Sequence, residues 1–263
     1  MSFIFLLVNL FVFLFGLCMG SFLNCVIYRL EQKKSLKGRS FCPNCKHKLL
    51  WQDLFPVLSF LFLKGRCRYC HKKISIQYPL VEFATGLVFL LIFNFKFLIF
   101  NQLEILNFIN LAFLFYVTSS LIVIFVYDLK YYIIPDKVLL PAIAAAFLYS
   151  ILKSDFSIIN LLSAVAIAAG FFLFIFLISK GKWMGFGDVK LAILMGLLLG
   201  LPNVLAALFL AFFFGSIVGI ILMILKRKGL KSEIPFGPFL ITGTFAALFW
   251  GQAIVNWYFS LSA

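Results

Sequence analysis

The feature that most constrains this chain is a succession of long apolar runs, each near the length that crosses a lipid bilayer. A bilayer's hydrocarbon core takes about 20 consecutive apolar residues of α-helix. Runs of this kind predict spans at residues 3–26, 80–95, 106–127, 138–152, 158–179, 187–201, 204–225 and 238–259. Two of them, 138–152 and 187–201, are short and need flanking residues to cross. Composition agrees: 64% of residues are hydrophobic, 36 are phenylalanine and only 12% are charged, against about 25% charged in a soluble domain. The predicted fold class is therefore an all-α polytopic membrane protein with about eight transmembrane helices. The first run has no Lys or Arg ahead of it, unlike a secretory signal peptide, and is predicted to be a retained span.

Lys and Arg orient these spans, because basic residues concentrate in cytoplasmic loops. With the N-terminus outside, 12 basic residues between Arg29 and Lys73 fall in the first cytoplasmic loop. Lys130 and Lys137, then Lys180, Lys182 and Lys190, then Lys226, Arg227, Lys228 and Lys231 fall in the next three. That places 21 of 23 inside and leaves only Lys96 and Lys153 outside. The predicted location is a membrane crossed several times, with these four loops on its cytoplasmic side. The net charge of +14 reports topology first and attraction to anionic membrane lipids second. Its spread over four loops argues against a nucleic-acid partner.

The first loop holds Cys42-Pro43-Asn44-Cys45 and Cys67-Arg68-Tyr69-Cys70, separated by 21 residues. Two such pairs present four thiolates, the shell of a structural zinc site. Disulfides are rare in the cytoplasm, which favours Zn2+ held by Cys42, Cys45, Cys67 and Cys70 in a small zinc-ribbon-like loop domain. Reduced or redox-active turns are the alternative. His47 and His71 are substitute ligands or solvated loop residues. A loop of this size has too little core of its own, and a metal supplies folding free energy. The apolar stretch 54–63 either packs on the metal site or lies along the membrane interface. Cys18 and Cys25 read as small core residues of the first span.

Among nine acidic residues, Asp128 and Asp188 stand at the cytoplasmic edges of the third and sixth spans. Ionisable groups at membrane depth are costly and mark functional sites. Taken singly, Asp188 reads equally as the N-cap of a helix, and Asp128 as a helix-end charge paired with Lys130. Asp136 reads as a second N-cap, and Glu82 and Glu233 as interfacial charges. Together, Asp128 and Asp188 are the minimum equipment for aspartyl hydrolysis, one member taking a proton from water and the other donating one. Gly185 and Gly187 leave room for a substrate backbone.

These residues resemble the bacterial type IV prepilin peptidases, bifunctional leader peptidase/N-methyltransferases of the GxGD membrane aspartyl type. The resemblance runs through Gly20-Ser21-Phe22-Leu23-Asn24-Cys25-Val26-Ile27-Tyr28-Arg29-Leu30, the four cysteines, Pro56-Val57-Leu58-Ser59 and Gly65-Arg66-Cys67-Arg68. It continues through Ile74-Ser75-Ile76-Gln77-Tyr78-Pro79-Leu80-Val81-Glu82, Asp128 with Ile134-Pro135-Asp136, Gly185-Phe186-Gly187-Asp188-Val189-Lys190-Leu191 and Ile234-Pro235-Phe236-Gly237-Pro238-Phe239. Glu31 stands where the family often has proline. The resemblance implies that Asp128 and Asp188 are catalytic and that prepilins and pseudopilins are the substrates, cut on the cytoplasmic side, typically after a glycine. It implies N-methylation with S-adenosylmethionine, although no residue pattern points to that cofactor's site. The metal would be structural, or would shape the substrate-docking and methylation region. The expected division is a first span at 1–28, the cysteine loop at 29–78, a second span and outer loop at 79–105, and a peptidase core at 106–263. The alternatives are another GxGD intramembrane protease, or a transporter or scaffold with a zinc-binding loop. Oligomeric state has no signature in the chain.

Overall fold

The computed structural model describes residues 2–97, 105–153, 157–225 and 234–262. Lys226, Arg227, Lys228, Lys231 and Glu233 lie outside these residues. The described residues form nine α-helices and no β-strand: α1 (Ser2–Glu31), α2 (Leu58–Phe62), α3 (Gln77–Ile92), α4 (Ile105–Tyr131), α5 (Asp136–Lys153), α6 (Ile158–Ser179), α7 (Phe186–Leu199), α8 (Asn203–Ile224) and α9 (Gly237–Ser262). A 3₁₀ turn, Trp51–Leu54, precedes α2. The chain is a multi-pass membrane protein, as its apolar runs predict.

Among the described residues six helical segments are long and apolar enough to cross a membrane unaided: α1, α3 with its continuation to Phe95, α4, α6, α8 and α9. The expected count was eight, and the difference falls on the two short runs. Helix α5 has 18 residues but carries Asp136 and Lys137 at its start and Lys153 at its end. Helix α7 has only 14 residues, about 21 Å at 1.5 Å per residue, against a hydrocarbon core of about 30 Å. Its apolar residues are covered by protein: Leu191, Leu194 and Met195 are completely buried. Lipid and a helical interior accept the same apolar side chains, so composition alone does not separate the two.

The chain divides into two compact units, residues 1–123 and 124–263, with the boundary inside α4. In the first unit, α1 packs on α3 through glycines. A Cβ on Gly16 would stand 2.7 Å from the Gly86 Cα, and one on Gly20 would stand 2.6 Å from the Glu82 Cα. Lipid tails are as apolar as leucine, so such close backbone packing is what holds membrane helices together. The polar groups at this seam are paired. Asn24 Nδ2 donates to the Tyr78 carbonyl at 3.0 Å, and Gln77 Nε2 donates to Asn24 Oδ1 at 3.3 Å.

Glu82 is not the interfacial charge expected of it. It is buried, and its carboxylate accepts the Val57 N–H at 2.7 Å, fastening the start of α2 to α3. Cys18 is exposed on α1 and Cys25 half-buried, so the core reading fails for Cys18. In the stretch 54–63, Phe55, Leu58, Leu61 and Phe62 are exposed.

In the second unit, α7 contacts α5, α6 and α9. Ala142 and Ala146 of α5 and Ala164 and Ala168 of α6 are fully buried one turn apart, giving each helix a narrow face. Asn160 closes the far end of α7, accepting the Leu201 N–H at 2.9 Å and donating to the Leu201 carbonyl at 3.2 Å.

Candidate active site

Asp128 lies on the last turns of α4 and Asp188 on the first turn of α7, and both are buried. Helix α4 ends when the Tyr132 N–H bonds back to the Asp128 carbonyl at 2.9 Å, with Tyr132 at positive φ. The chain then runs through Ile134 and Pro135 into α5. Helix α7 starts earlier than a capping role for Asp188 requires: Gly185 is its N-cap, and Asp188 is its third residue. The Asp188 carboxylate reaches back to accept the Gly185 N–H, the half of a capping box that an acidic third residue supplies. Asp136 is likewise the first residue of α5 rather than a residue ahead of it.

The two carboxylates, 60 positions apart in sequence, come close enough for the charge of Asp128 to act on Asp188. Asp128 accepts the N–H of Gly237, the first residue of α9. A Cβ on Gly237 would stand 2.5 Å from Asp128 Oδ2 and 3.4 Å from Ile134 Cδ1. A Cβ on Gly187 would stand 3.0 Å from the Ile134 Cβ. Ile134 is thus a wedge between the glycine before Asp188 and the glycine beneath Asp128. Gly187, expected to leave room for a substrate, is filled by Ile134. Gly185 is exposed, and a Cβ there would meet nothing nearer than the Gly187 nitrogen at 3.9 Å.

Two further contacts hold this arrangement. Lys190 Nζ meets both oxygens of Asp136 at 2.7 Å, joining the start of α5 to the start of α7. Phe236, next to Gly237, sits among Phe212 of α8 at 5.0 Å, Phe172 of α6 at 5.9 Å and Phe239 at 6.2 Å between ring centroids. Lys130 does not pair with Asp128; its ammonium lies over the Tyr131 ring at 5.6 Å. Among the described residues Asp128 and Asp188 form no ion pair. Two buried acids with one backbone N–H apiece and no cation have the makings of a pair that shares a proton. Neither Gly237 nor Ile134 is marked by residue type as a site residue. Their signal was present only as two short stretches, Ile134-Pro135-Asp136 and Ile234 to Phe239, without an indication of what each touches.

In the first unit, Cys42, Cys45, Cys67 and Cys70 converge, their four Sγ atoms all within 4.8 Å of one another. Cys42 and Cys70 Sγ are 3.9 Å apart, near the edge of about 3.8 Å for a tetrahedron with metal–sulfur bonds of about 2.3 Å. Each pair is built the same way. The Cys42 N–H bonds to the His47 carbonyl and the Lys46 N–H returns to Cys42; the Cys67 N–H bonds to Lys72 and the His71 N–H returns to Cys67, all at 2.9 Å. Lys46 and His71 take the same left-handed conformation in the two turns.

The thiols also crowd one another. Burial opposes the Cys42 thiolate, yet the Cys45 and Asn44 N–H groups and neighbouring thiols lower its pKa to about 7. The Lys72 N–H favours the Cys70 thiolate, but burial and the other thiols raise its pKa to about 11. A divalent cation relieves that repulsion, and the donor set fits one. The neighbouring side chains brace the turns. His47 stacks on Tyr69 with ring centroids 3.6 Å apart, and Asp53 takes Arg68 Nε at 2.8 Å and the Tyr69 hydroxyl at 3.1 Å.

Residues 14–95 match the bacterial peptidase A24 N-terminal domain, and residues 115–220 match the type IV leader peptidase family. Proteins named prepilin leader peptidase/N-methyltransferase are similar along nearly the whole chain. The one from Aeromonas salmonicida is 31% identical, covering 95% of this chain and 93% of its own. That of Bacillus subtilis is 34% identical over 95% and 98%, and that of Legionella pneumophila 32% over 93% and 92%. No solved structure gives a match.

Proposed function

The chain belongs to the type IV leader peptidase family, and from that premise we propose that it is a membrane aspartyl endopeptidase acting through Asp128 and Asp188 on type IV prepilins and pseudopilins. The observation that supports this most is the approach of two buried acids to one another with no counter-cation among the described residues.

One carboxylate, ionised, takes a proton from a water whose oxygen attacks the scissile carbonyl carbon. The other, protonated, donates to the carbonyl oxygen. Collapse of the tetrahedral intermediate breaks the C–N bond, and a proton passes from the pair to the leaving nitrogen. The products are the leader's carboxylate and a new amino terminus on the pilin. The proton belongs to the pair rather than to either aspartate. Gly185, exposed at the mouth of α7, leaves the space a bound peptide backbone needs.

The peptidase core is assigned to 106–263 and the metal loop to 29–78, with membrane segments at 1–28 and 79–105. The loop takes Zn2+ on Cys42, Cys45, Cys67 and Cys70, with a structural role; zinc supplies no step of the hydrolysis. The membrane is the bacterial inner membrane, with the N-terminus outside and the loop and both aspartates on the cytoplasmic side. The support is the distribution of 21 of 23 basic residues. In this topology α7 crosses as a short helix covered by protein. The relatives' name includes N-methyltransferase, and N-methylation of the new amino terminus is carried over as a second activity. The described residues contain no strand and so no strand-to-helix glycine loop for S-adenosylmethionine.

The full-length protein, incubated in detergent with a prepilin, tests the assignment. Asp128→Asn and Asp188→Asn should each lower cleavage by about a thousandfold or more, and the double variant should be no worse than either single, because the pair acts as a unit. Full cleavage by either single variant would remove the dyad. Mass spectrometry of the processed pilin, with S-adenosylmethionine supplied, reads the second activity as an added methyl group.

A further inference from the structure

Lys34, Arg39, Lys46 and Lys48 line a cleft of about 430 Å³ whose other lining residues are Gly38 and Phe41. No carboxylate is among them. The cleft is built rather than a chance gathering of side chains. Arg29, on the last turn of α1, is buried, and its guanidinium donates to the carbonyls of Ser35, Lys37, Gly38 and Arg39 at 3.1, 2.9, 2.9 and 3.3 Å. Those four bonds wrap the 35–39 turn around Arg29 and set one wall. Phe41 meets the edge of Tyr28, also on the last turns of α1, with centroids 6.0 Å apart. Lys34 and Lys46 stand over the Phe41 ring at 5.5 and 5.6 Å, and Lys46 Nζ is held by the Pro43 carbonyl at 2.9 Å. The partners of Arg29 here are neutral carbonyls, so its charge adds to the four in the cleft. Five cations exceed the two net negative charges of a zinc tetrathiolate next door. The cleft attracts an anion, and it does not suit S-adenosylmethionine, whose sulfonium and ammonium are cations.

We propose that this cleft binds the phosphate of an anionic phospholipid head group. Its place in the chain selects lipid over a soluble anion. Helix α1, long and apolar enough to cross a membrane, ends at Glu31, and Lys34 follows three residues later, which in the proposed topology puts it at the cytoplasmic head-group level. Within the turn that Arg29 organises, Leu36 is 54% exposed, an apolar side chain beside the cations, as an interfacial segment carries. Juxtamembrane cations gain affinity for anionic lipid in this zone.

Native mass spectrometry of the full-length protein in detergent, titrated with phosphatidylglycerol or phosphatidylcholine, tests the proposal. The wild type should retain phosphatidylglycerol in preference to phosphatidylcholine, and less so as salt rises. The exposed cations allow Lys34→Gln/Arg39→Gln/Lys48→Gln without disturbing Arg29. That variant should bind phosphatidylglycerol roughly a hundredfold more weakly, while Lys180→Gln/Lys182→Gln, which removes two charges elsewhere, should bind as wild type. Equal retention of both lipids by the wild type would overturn the site independently of any variant's folding. So would unchanged affinity in the triple variant. Displacement of the lipid by millimolar glycerol 3-phosphate would assign the cleft to a soluble phosphate and overturn the lipid reading. The site stands or falls apart from the peptidase assignment, since no readout here is cleavage.

Discussion

Asp128 occupies the space that a side chain on Gly237 would need: a Cβ there would lie 2.5 Å from Asp128 Oδ2. The first residue of α9 is therefore part of the setting of an aspartate on α4, held by the Gly237 N–H on one oxygen and by close contact beneath it.

Gly237→Ala should displace that carboxylate and lower leader cleavage by about a hundredfold, the scale of an ångström-sized misplacement. Its stability cost should shrink when Asp128 is also Ala, because the added methyl then has room. Thermal unfolding of the two single variants and the double in detergent measures this coupling, expected at about 1–3 kcal/mol. Additive costs would mean that Gly237 is fixed by something other than Asp128.

The Asp136–Lys190 pair joins the segment after Asp128 to the helix of Asp188. Asp136 is half exposed, so the pair should contribute below about 1 kcal/mol to stability. Its effect on the rate should be larger, about tenfold in kcat for Lys190→Gln or Asp136→Asn, with KM little changed. Exchange of the two charges, Asp136→Lys with Lys190→Asp, should recover part of the rate. Loss of stability without loss of kcat would make the pair a surface contact only.

Elemental analysis of purified protein should find about one zinc per chain, the load of one four-ligand site. Cys42→Ser with Cys45→Ser should abolish it and open the loop between residues 42 and 70 to proteolysis, since metal binding there supplies folding free energy. Wild-type protein purified without any metal, with the loop still protease-resistant, would sink the assignment.

Asp53 gives the loop a dependence on pH. Burial opposes its ionisation, but Arg68, the Leu50 N–H and the Tyr69 hydroxyl outweigh this and hold its carboxyl below the usual range. A depressed folded pKa stabilises above the unfolded value of about 3.9 and loses that effect as pH falls through the folded one. Amide exchange in the loop should therefore be faster in Asp53→Asn than in wild type at pH 6. The difference should shrink as pH drops below about 4. Because Arg68 is half exposed, its size should stay within about 1 kcal/mol.

Local and compositional features were legible from the chain alone. The apolar runs predict helices in the right places, and the cysteine pairs predict their own convergence, because two residues between cysteines already make a turn that aims both thiols the same way. Family likeness was readable because its motifs recur in order along nearly the whole sequence. What α7 does was not legible. A 14-residue apolar run satisfies a protein interior as well as it satisfies lipid, and only the burial of Leu191, Leu194 and Met195 separates the two. The same holds for Glu82, which looks interfacial by position but is buried against the Val57 N–H.

By itself, then, the sequence determined the membrane class, the helical segments, the metal-type turns and the two aspartates worth watching, all from residues near one another in the chain. The tertiary structure decided which distant residues share a neighbourhood. The charge of Asp128 acts on Asp188 across 60 positions, and Gly237 packs against Asp128 across 109. Ile134 spaces the two glycines involved. Such contacts follow from helix packing at close range, where small residues let backbones approach, and no spacing along the chain encodes them.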